Sequence, residues 1–87
     1  MSQFTTEEFK KKLDDVHDFP TLYMFKFIVT EDKKGEVKGL FPSSELEYKP
    51  SRKGKYTSVT AKVMMQSSEH VIEVYKKAQN IEGIIAL

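Results

Sequence analysis

The segment Tyr56–Gln66, with the sequence YTSVTAKVMMQ, constrains the fold more than any other part of the chain. Apolar side chains recur at every second position from Val59 to Met65. Such alternation predicts a β-strand with one buried face and one face open to solvent. We expect helices to cover the buried face, which would consist of Val59, Ala61, Val63 and Met65.

Two segments have helical periodicity and capping signals. In TTEEFKKKLDDV, Thr5 and Glu8 have the spacing of a capping box, and the apolar stripe consists of Phe9, Leu13 and Val16. SSEHVIEVYKKAQN begins with serines that can cap a helix, and its stripe consists of Val71, Val74, Tyr75 and Ala78. Between them, EDKKGEVKGLF predicts only a short helix, because Gly35 and Gly39 each weaken it by up to about 1 kcal/mol relative to alanine.

The other strands are predicted from composition and alternation. LYMFKFIVT is rich in aromatic and branched residues at strand length, with Phe25, Phe27 and Val29 on one face. SELEYKP alternates and ends at Pro50, which favours the edge of a sheet or the end of a strand. GIIAL, at the end of the sequence, is predicted to be a buried strand.

The order of these elements predicts an α+β protein with one ferredoxin-like βαββαβ two-layer sandwich. Its four-stranded antiparallel sheet would carry the helices on one face, with the first and third strands in the centre. Residues 1–18 would form an N-terminal amphipathic helix and residues 19–87 the ferredoxin-like domain. A chain of 87 residues has room for one such core.

Composition excludes several classes of site. The absence of cysteine excludes disulfides and thiolate chemistry, and a net charge of +1 provides no overall attraction to nucleic acid or anionic lipid. The apolar runs LYMF and IIAL are too short to span a bilayer. We therefore expect a cytoplasmic protein without membrane association.

The sequence also lacks the features of a catalytic or metal site. His17 and His70 lie far apart without a partner at metal-ligand spacing, and we expect both to be solvated. The carboxylates fall on segments that would face water, and no nucleotide-binding or zinc motif occurs. We therefore expect no enzymatic activity, no metal and no cofactor.

A basic loop between two predicted strands, YKPSRKGKYTSV, is the first candidate binding site. It is either the solvated tip of a hairpin, in which Gly54 adopts the left-handed conformation, or a site for an anion or a partner. Its candidate residues are Lys49, Pro50, Ser51, Arg52, Lys53, Gly54, Lys55, Tyr56 and Ser58. KGKYTSV lacks the stacking aromatics of the RNA-binding signature, so weak binding of nucleic acid or phosphate by Lys49, Arg52, Lys53 and Lys55 is kept only as the alternative function.

The second candidate is the sheet face that points away from the core. It would be unusually apolar for a solvated surface, since it would carry Met24, Lys26, Ile28, Lys62 and Met64. Such a face suggests contact with a protein partner or with a second copy of the chain.

Three features together resemble the small bacterial YbeD-like proteins, a domain family of unknown function. They are Phe19-Pro20, the string KPSRKGKYTSVTAKV, and the helix that begins with serines and is followed by IEGIIAL. The resemblance covers about Phe19 to Leu87. It implies a fold similar to regulatory ACT domains and a non-catalytic role in binding a partner or a small-molecule effector. Members usually have a longer first crossover helix. The matching residues of the string are Pro50, Ser51, Lys53, Gly54, Tyr56, Ser58 and Thr60.

Overall fold

The computed structural model describes the backbone of residues 6–87 and the side chains from Glu7 onward. The elements, in chain order, are α1 Thr6–Val16, β1 Thr21–Thr30, α2 Lys34–Leu40, β2 Leu46–Pro50, β3 Tyr56–Met65, α3 Ser68–Ala78 and β4 Ile85–Ala86, with a 3-10 turn at Glu31–Lys33 before α2. The cis peptide bond Phe19–Pro20 lies between α1 and β1. The predicted cap residue Thr5 lies outside the described residues.

The four strands form one antiparallel sheet in the order β2-β3-β1-β4. β1 and β3 pair along their full lengths, from Thr21 opposite Met65 to Thr30 opposite Tyr56. The predicted α+β class and the central position of the first and third strands are confirmed. β2, which ends at Pro50, lies at one edge of the sheet, where the missing N–H of proline is tolerated.

The hydrophobic core covers one face of the sheet. On β1, the inward side chains Phe25, Phe27 and Val29 are at most 1% exposed. On β3, the predicted inward set is confirmed, since Val59, Ala61 and Met65 are buried and Val63 packs against them. The helices contribute Leu13, Val37, Val71, Ile72 and Ala78.

Aromatic rings join the helices to the sheet. The Phe25 ring lies 5.1 Å from the Phe41 ring and 5.3 Å from the Tyr75 ring, measured between centroids. Phe9 of α1 lies 5.5 Å from Tyr75 of α3. These distances are typical of favourable aromatic pairs, so α1 and α3 pack together over the central strands.

Local signals set the helix boundaries. The Ser67 hydroxyl accepts a hydrogen bond from the His70 backbone N–H at 3.2 Å, which confirms the predicted serine cap of α3. α2 has seven residues and buries Val37, as expected for a short helix that contains two glycines. None of the helices in the described part of the chain has the length and hydrophobicity that a membrane-spanning segment needs.

Two predictions about burial are wrong. The last strand is not buried, since Ile85 is 52% and Leu87 64% exposed. β4 pairs only with Phe27 and Ile28 at the edge of the sheet, so little packs around it. Val16 is 75% exposed because the α1 stripe that contacts α3 ends at Leu13.

Two glycines should respond oppositely to the same substitution. Gly35 lies in α2 with open space where a Cβ would be, so Gly35→Ala should stabilise the protein by about 0.5–1 kcal/mol. Gly54 has a φ of +73°, where a side chain costs about 1–2 kcal/mol, so Gly54→Ala should destabilise it. Urea denaturation measures both, and two changes of the same sign would contradict the backbone geometry.

Candidate functional site

The open face of the sheet is the face opposite the core. Because paired residues on neighbouring strands point to the same side, the register of β1 with β3 determines which side chains meet there. The cross-strand pairs on this face are Leu22 with Met64, Met24 with Lys62, Lys26 with Thr60, and Ile28 with Ser58. The structure thus places all five predicted sheet-face residues on one surface.

One part of this face is an apolar strip, which we define as Leu22, Met24, Met64, Ile85 and Leu87. Each of these side chains is more than half exposed. The strip follows β1 and β4, since Ile85 pairs with Ile28 and the Leu87 backbone N–H donates a 2.9 Å hydrogen bond to the Lys26 carbonyl. A cluster of exposed apolar side chains on one face is typical of an interaction surface.

The basic hairpin has a defined turn structure. Ser51 and Tyr56 close it through two hydrogen bonds: the Ser51 N–H donates to the Tyr56 carbonyl at 2.7 Å, and the Tyr56 N–H donates to Ser51 Oγ at 3.1 Å. Gly54 has the predicted left-handed conformation, and its N–H donates to the Ser51 carbonyl at 2.9 Å. These three residues of the string that carries the family resemblance therefore shape the turn.

Beside the hairpin lies the second part of the open face, a polar trough. Its floor is Ser58 and Thr60 of β3, and its walls are Lys26 and Ile28 of β1 and Glu47 and Lys49 of β2. Cross-strand neighbours form two rows across the sheet. In one row Thr60 lies between Lys26 and Glu47, and in the other Ser58 lies between Ile28 and Lys49. The trough is a cavity of about 680 Å³, closed at the hairpin end by Pro50, Ser51, Arg52 and Tyr56, with Tyr48 also in its lining.

The trough divides the cations of the basic loop into two groups. Lys49 and Arg52 line it together with Lys26, whereas Lys53 and Lys55 belong to the loop and do not line it. The Lys55 ammonium instead lies 5.7 Å from the centre of the Tyr56 ring. The two candidate sites predicted from the sequence are the basic loop and the sheet face. They meet at Lys26, which lies on the sheet face and lines the trough beside the loop residues Lys49 and Arg52.

Sequence reasoning missed two parts of this arrangement. Glu47 was not a candidate, and Thr60 appeared only among the residues that match the family string. Both are far from Lys26 in sequence, and only the strand register brings the three into one row. The signal was the alternation of β3, which puts Ser58 and Thr60 on the face opposite Val59.

A polar contact supports the base of the hairpin. The Thr57 hydroxyl, which is buried, and the Lys34 ammonium both donate hydrogen bonds to the Glu31 carboxylate. These two hydrogen bonds hold the pKa of Glu31 below its ordinary value, and the one from Lys34 has the larger effect. The Glu31 backbone N–H also donates to the Lys55 carbonyl at 3.2 Å, so this contact joins the end of β1 to the loop.

The remaining polar groups of interest have structural partners. His17, predicted to be solvated, is only partly exposed, since its ring lies 5.8 Å from Phe19 and 5.3 Å from Tyr23. The Tyr23 and Tyr75 hydroxyls are 3.1 Å apart, and burial raises the pKa of Tyr75. Within residues 6–87, no group of three histidine or acidic side chains is placed to hold a metal ion.

Comparison with known proteins identifies relatives. A family model described as "Protein of unknown function (DUF493)" matches residues 14–87. A UPF0250 protein of Shewanella oneidensis is 31% identical over 83 residues, which cover 84% of this chain and 91% of that protein. A UPF0250 protein of Idiomarina loihiensis is 30% identical over 82 residues, with 86% and 93% covered. No solved structure gives a significant match.

The contact of Glu31 predicts a pH effect. Because the folded-state pKa of Glu31 is lowered, the contact stabilises the protein above the ordinary glutamate pKa of about 4.3, and this contribution is lost as the pH falls through the lower folded-state value. Thr57→Val should raise the pKa of Glu31 towards its ordinary value, and Lys34→Met should raise it more. Carboxyl NMR titration measures both, and an unchanged pKa in Lys34→Met would contradict the assignment.

Proposed function

This chain belongs to the DUF493 family of proteins of unknown function, and we propose that it acts as a non-catalytic regulatory or protein-interaction module. The membership confirms the YbeD-like resemblance of the sequence. We interpret the strand order β2-β3-β1-β4, with its core on one face, as a ferredoxin-like sandwich similar to ACT domains. That interpretation supports binding on the open face of the sheet.

One observation carries the proposal: the five side chains of the apolar strip share one face, and each is more than half exposed. A partner that covered them would remove apolar surface from water, which stabilises a complex by about 25 cal/mol per Å² before the costs of association. Sheet strands rise about 3.3 Å per residue and lie about 4.8 Å apart, so the whole face covers about 600 Å² in projection, and the strip is only part of it. This is below the roughly 800 Å² per partner of a standard stable interface and suits a transient contact.

Charge favours a different protein over a second copy. Lys26 and Lys62 lie on the same face as the strip, and neither takes part in an ion pair within the described residues. Two such faces packed together would bring these cations near one another, whereas a partner with apolar side chains beside carboxylates would complement both features. We therefore propose a partner segment that is apolar and flanked by acidic residues.

Substitution of the strip tests this proposal. Met24→Glu combined with Met64→Glu should abolish capture of a partner from a lysate of the source organism, because it places two carboxylates within the apolar contact. Val16→Glu is the matched control, since Val16 is also exposed but lies on α1. Capture that is equal for both variants, or a wild-type protein that is monomeric by light scattering and captures nothing, would contradict the proposal.

A second candidate is the binding of phosphate or nucleic acid by the basic hairpin. The specific observation in its favour is the trough at the base of the hairpin, where Lys49 and Arg52 lie beside Lys26. Binding of this type depends on charge and releases counterions, so the affinity falls as salt rises.

Salt dependence tests the second candidate. For a single-stranded oligonucleotide, the logarithm of the affinity should fall linearly with the logarithm of the salt concentration, with a slope of about −0.7 per phosphate contacted. Fluorescence anisotropy measures it, and replacing Lys49 and Arg52, the hairpin cations that line the trough, by glutamine should make the slope shallower. Absence of binding at about 50 mM salt, where such contacts are strongest, would contradict nucleic-acid binding.

A further inference from the structure

We propose that the polar trough binds the phosphate group of a small phosphomonoester, held by Lys26 of β1 together with Lys49 and Arg52 of the hairpin. The inference rests on the second candidate function, phosphate binding. It places the centre of the site on the sheet, at the floor formed by Ser58 and Thr60, and excludes Lys53 and Lys55 from direct contact.

The shape of the trough follows from side-chain length. Ser58 and Thr60 are short residues in the central strand β3, and longer side chains flank them on β1 and β2. Because neighbouring strands are about 4.8 Å apart, the backbones of Lys26 and Glu47 are about 10 Å apart across Thr60. A phosphate group that rests on the floor is therefore within reach of the flexible lysine side chains on both sides.

The charge of the trough matches a dianion. Three cations, Lys26, Lys49 and Arg52, and one carboxylate, Glu47, line it, which gives a net charge of +2. None of the three cations forms an ion pair in the part of the chain that the structure describes. A phosphomonoester carries up to two negative charges near neutral pH, whereas each phosphate within a nucleic-acid strand carries one.

The floor and the hairpin end supply hydrogen-bond donors. Three hydroxyls have no hydrogen-bond partner among residues 6–87, namely those of Ser58, Thr60 and Tyr56. Other hydroxyls of the described residues, such as those of Ser51 and Thr57, do form hydrogen bonds. Three terminal phosphate oxygens can accept from these hydroxyls and from the cations at once, and charge-assisted bonds of this kind are the stronger ones.

The size of the trough indicates more than inorganic phosphate. Its volume of about 680 Å³ is within the range of about 300–1,000 Å³ that is usual for small-molecule sites. Tyr56 stands at the hairpin end with its side chain 42% exposed, and its ring offers an apolar surface for the organic part of the ester.

NMR amide-shift titrations with inorganic phosphate and with phenyl phosphate test the proposal, at an ionic strength held constant with sodium chloride. We expect saturable shifts at Ser58, Thr60 and Lys49, with phenyl phosphate binding more tightly. Lys26→Met should weaken binding about tenfold or more, because it removes a charge-assisted hydrogen bond. Glu47→Gln should strengthen it about two- to fivefold, because it removes a like charge that lines the trough.

Lys53→Met is the matched control, and we expect it to change the affinity less than about twofold, since Lys53 is exposed and does not line the trough, so its charge is screened by solvent. The spectrum of each variant shows whether it folds. Weakening by Lys53→Met or Lys55→Met with no effect of Lys26→Met would overturn the trough while leaving anion binding by the loop in place. Saturable binding of neither probe to the wild type would overturn the trough and phosphate binding by the hairpin together.

Discussion

The antiparallel pairing of β1 with β3 determines which side chains form the core and which lie on the open face. Side chains alternate along both strands, so the register that buries Phe25 and Phe27 opposite Ala61 and Val59 also determines the open face. A slip of one residue would bury Lys26 and expose two phenylalanines. The cost of burying an unpaired ammonium group excludes that alternative, so the core specifies the surface.

The open face combines two chemistries because of where each strand lies. β4 at one edge brings exposed Ile85 beside Ile28, and β2 at the other brings Lys49 beside Ser58. An apolar strip and a cationic trough therefore share one sheet, with Lys26 between them. A proposed partner on the strip and a proposed anion in the trough would each contact or approach that lysine, so binding of one would affect binding of the other.

Much of the fold could be predicted because local patterns and tertiary packing agree. The alternation in the third strand predicted a strand with one buried face, and the serines before α3 predicted its N-terminal cap. The structure confirms both predictions. The last strand was predicted less well, since a short apolar segment such as GIIAL fits a buried strand and an edge strand equally. Ile85 is exposed because the segment lies at the edge, which only the strand pairing determines.

The candidate site was harder to predict because it is built across strands. The string around the basic loop is conspicuous in the sequence, yet Ser51 and Gly54 shape the turn, whatever the loop binds. The row of Lys26, Thr60 and Glu47 has no local signature, because its members come from three strands. Cross-strand neighbours follow from the register, and one sequence alone does not fix the register of β2 against β3.

Adjacent residues of β3 face opposite environments, and single cysteines test this arrangement because the sequence contains no cysteine. Ala61 is 1% exposed, whereas its neighbour Lys62 is exposed. In dilute protein solution, Lys62→Cys should therefore react with a thiol reagent at the rate of an unfolded peptide. Ala61→Cys should react only through unfolding of the sheet. Equal rates for the two cysteines, or faster labelling at position 61, would contradict the one-sided sheet.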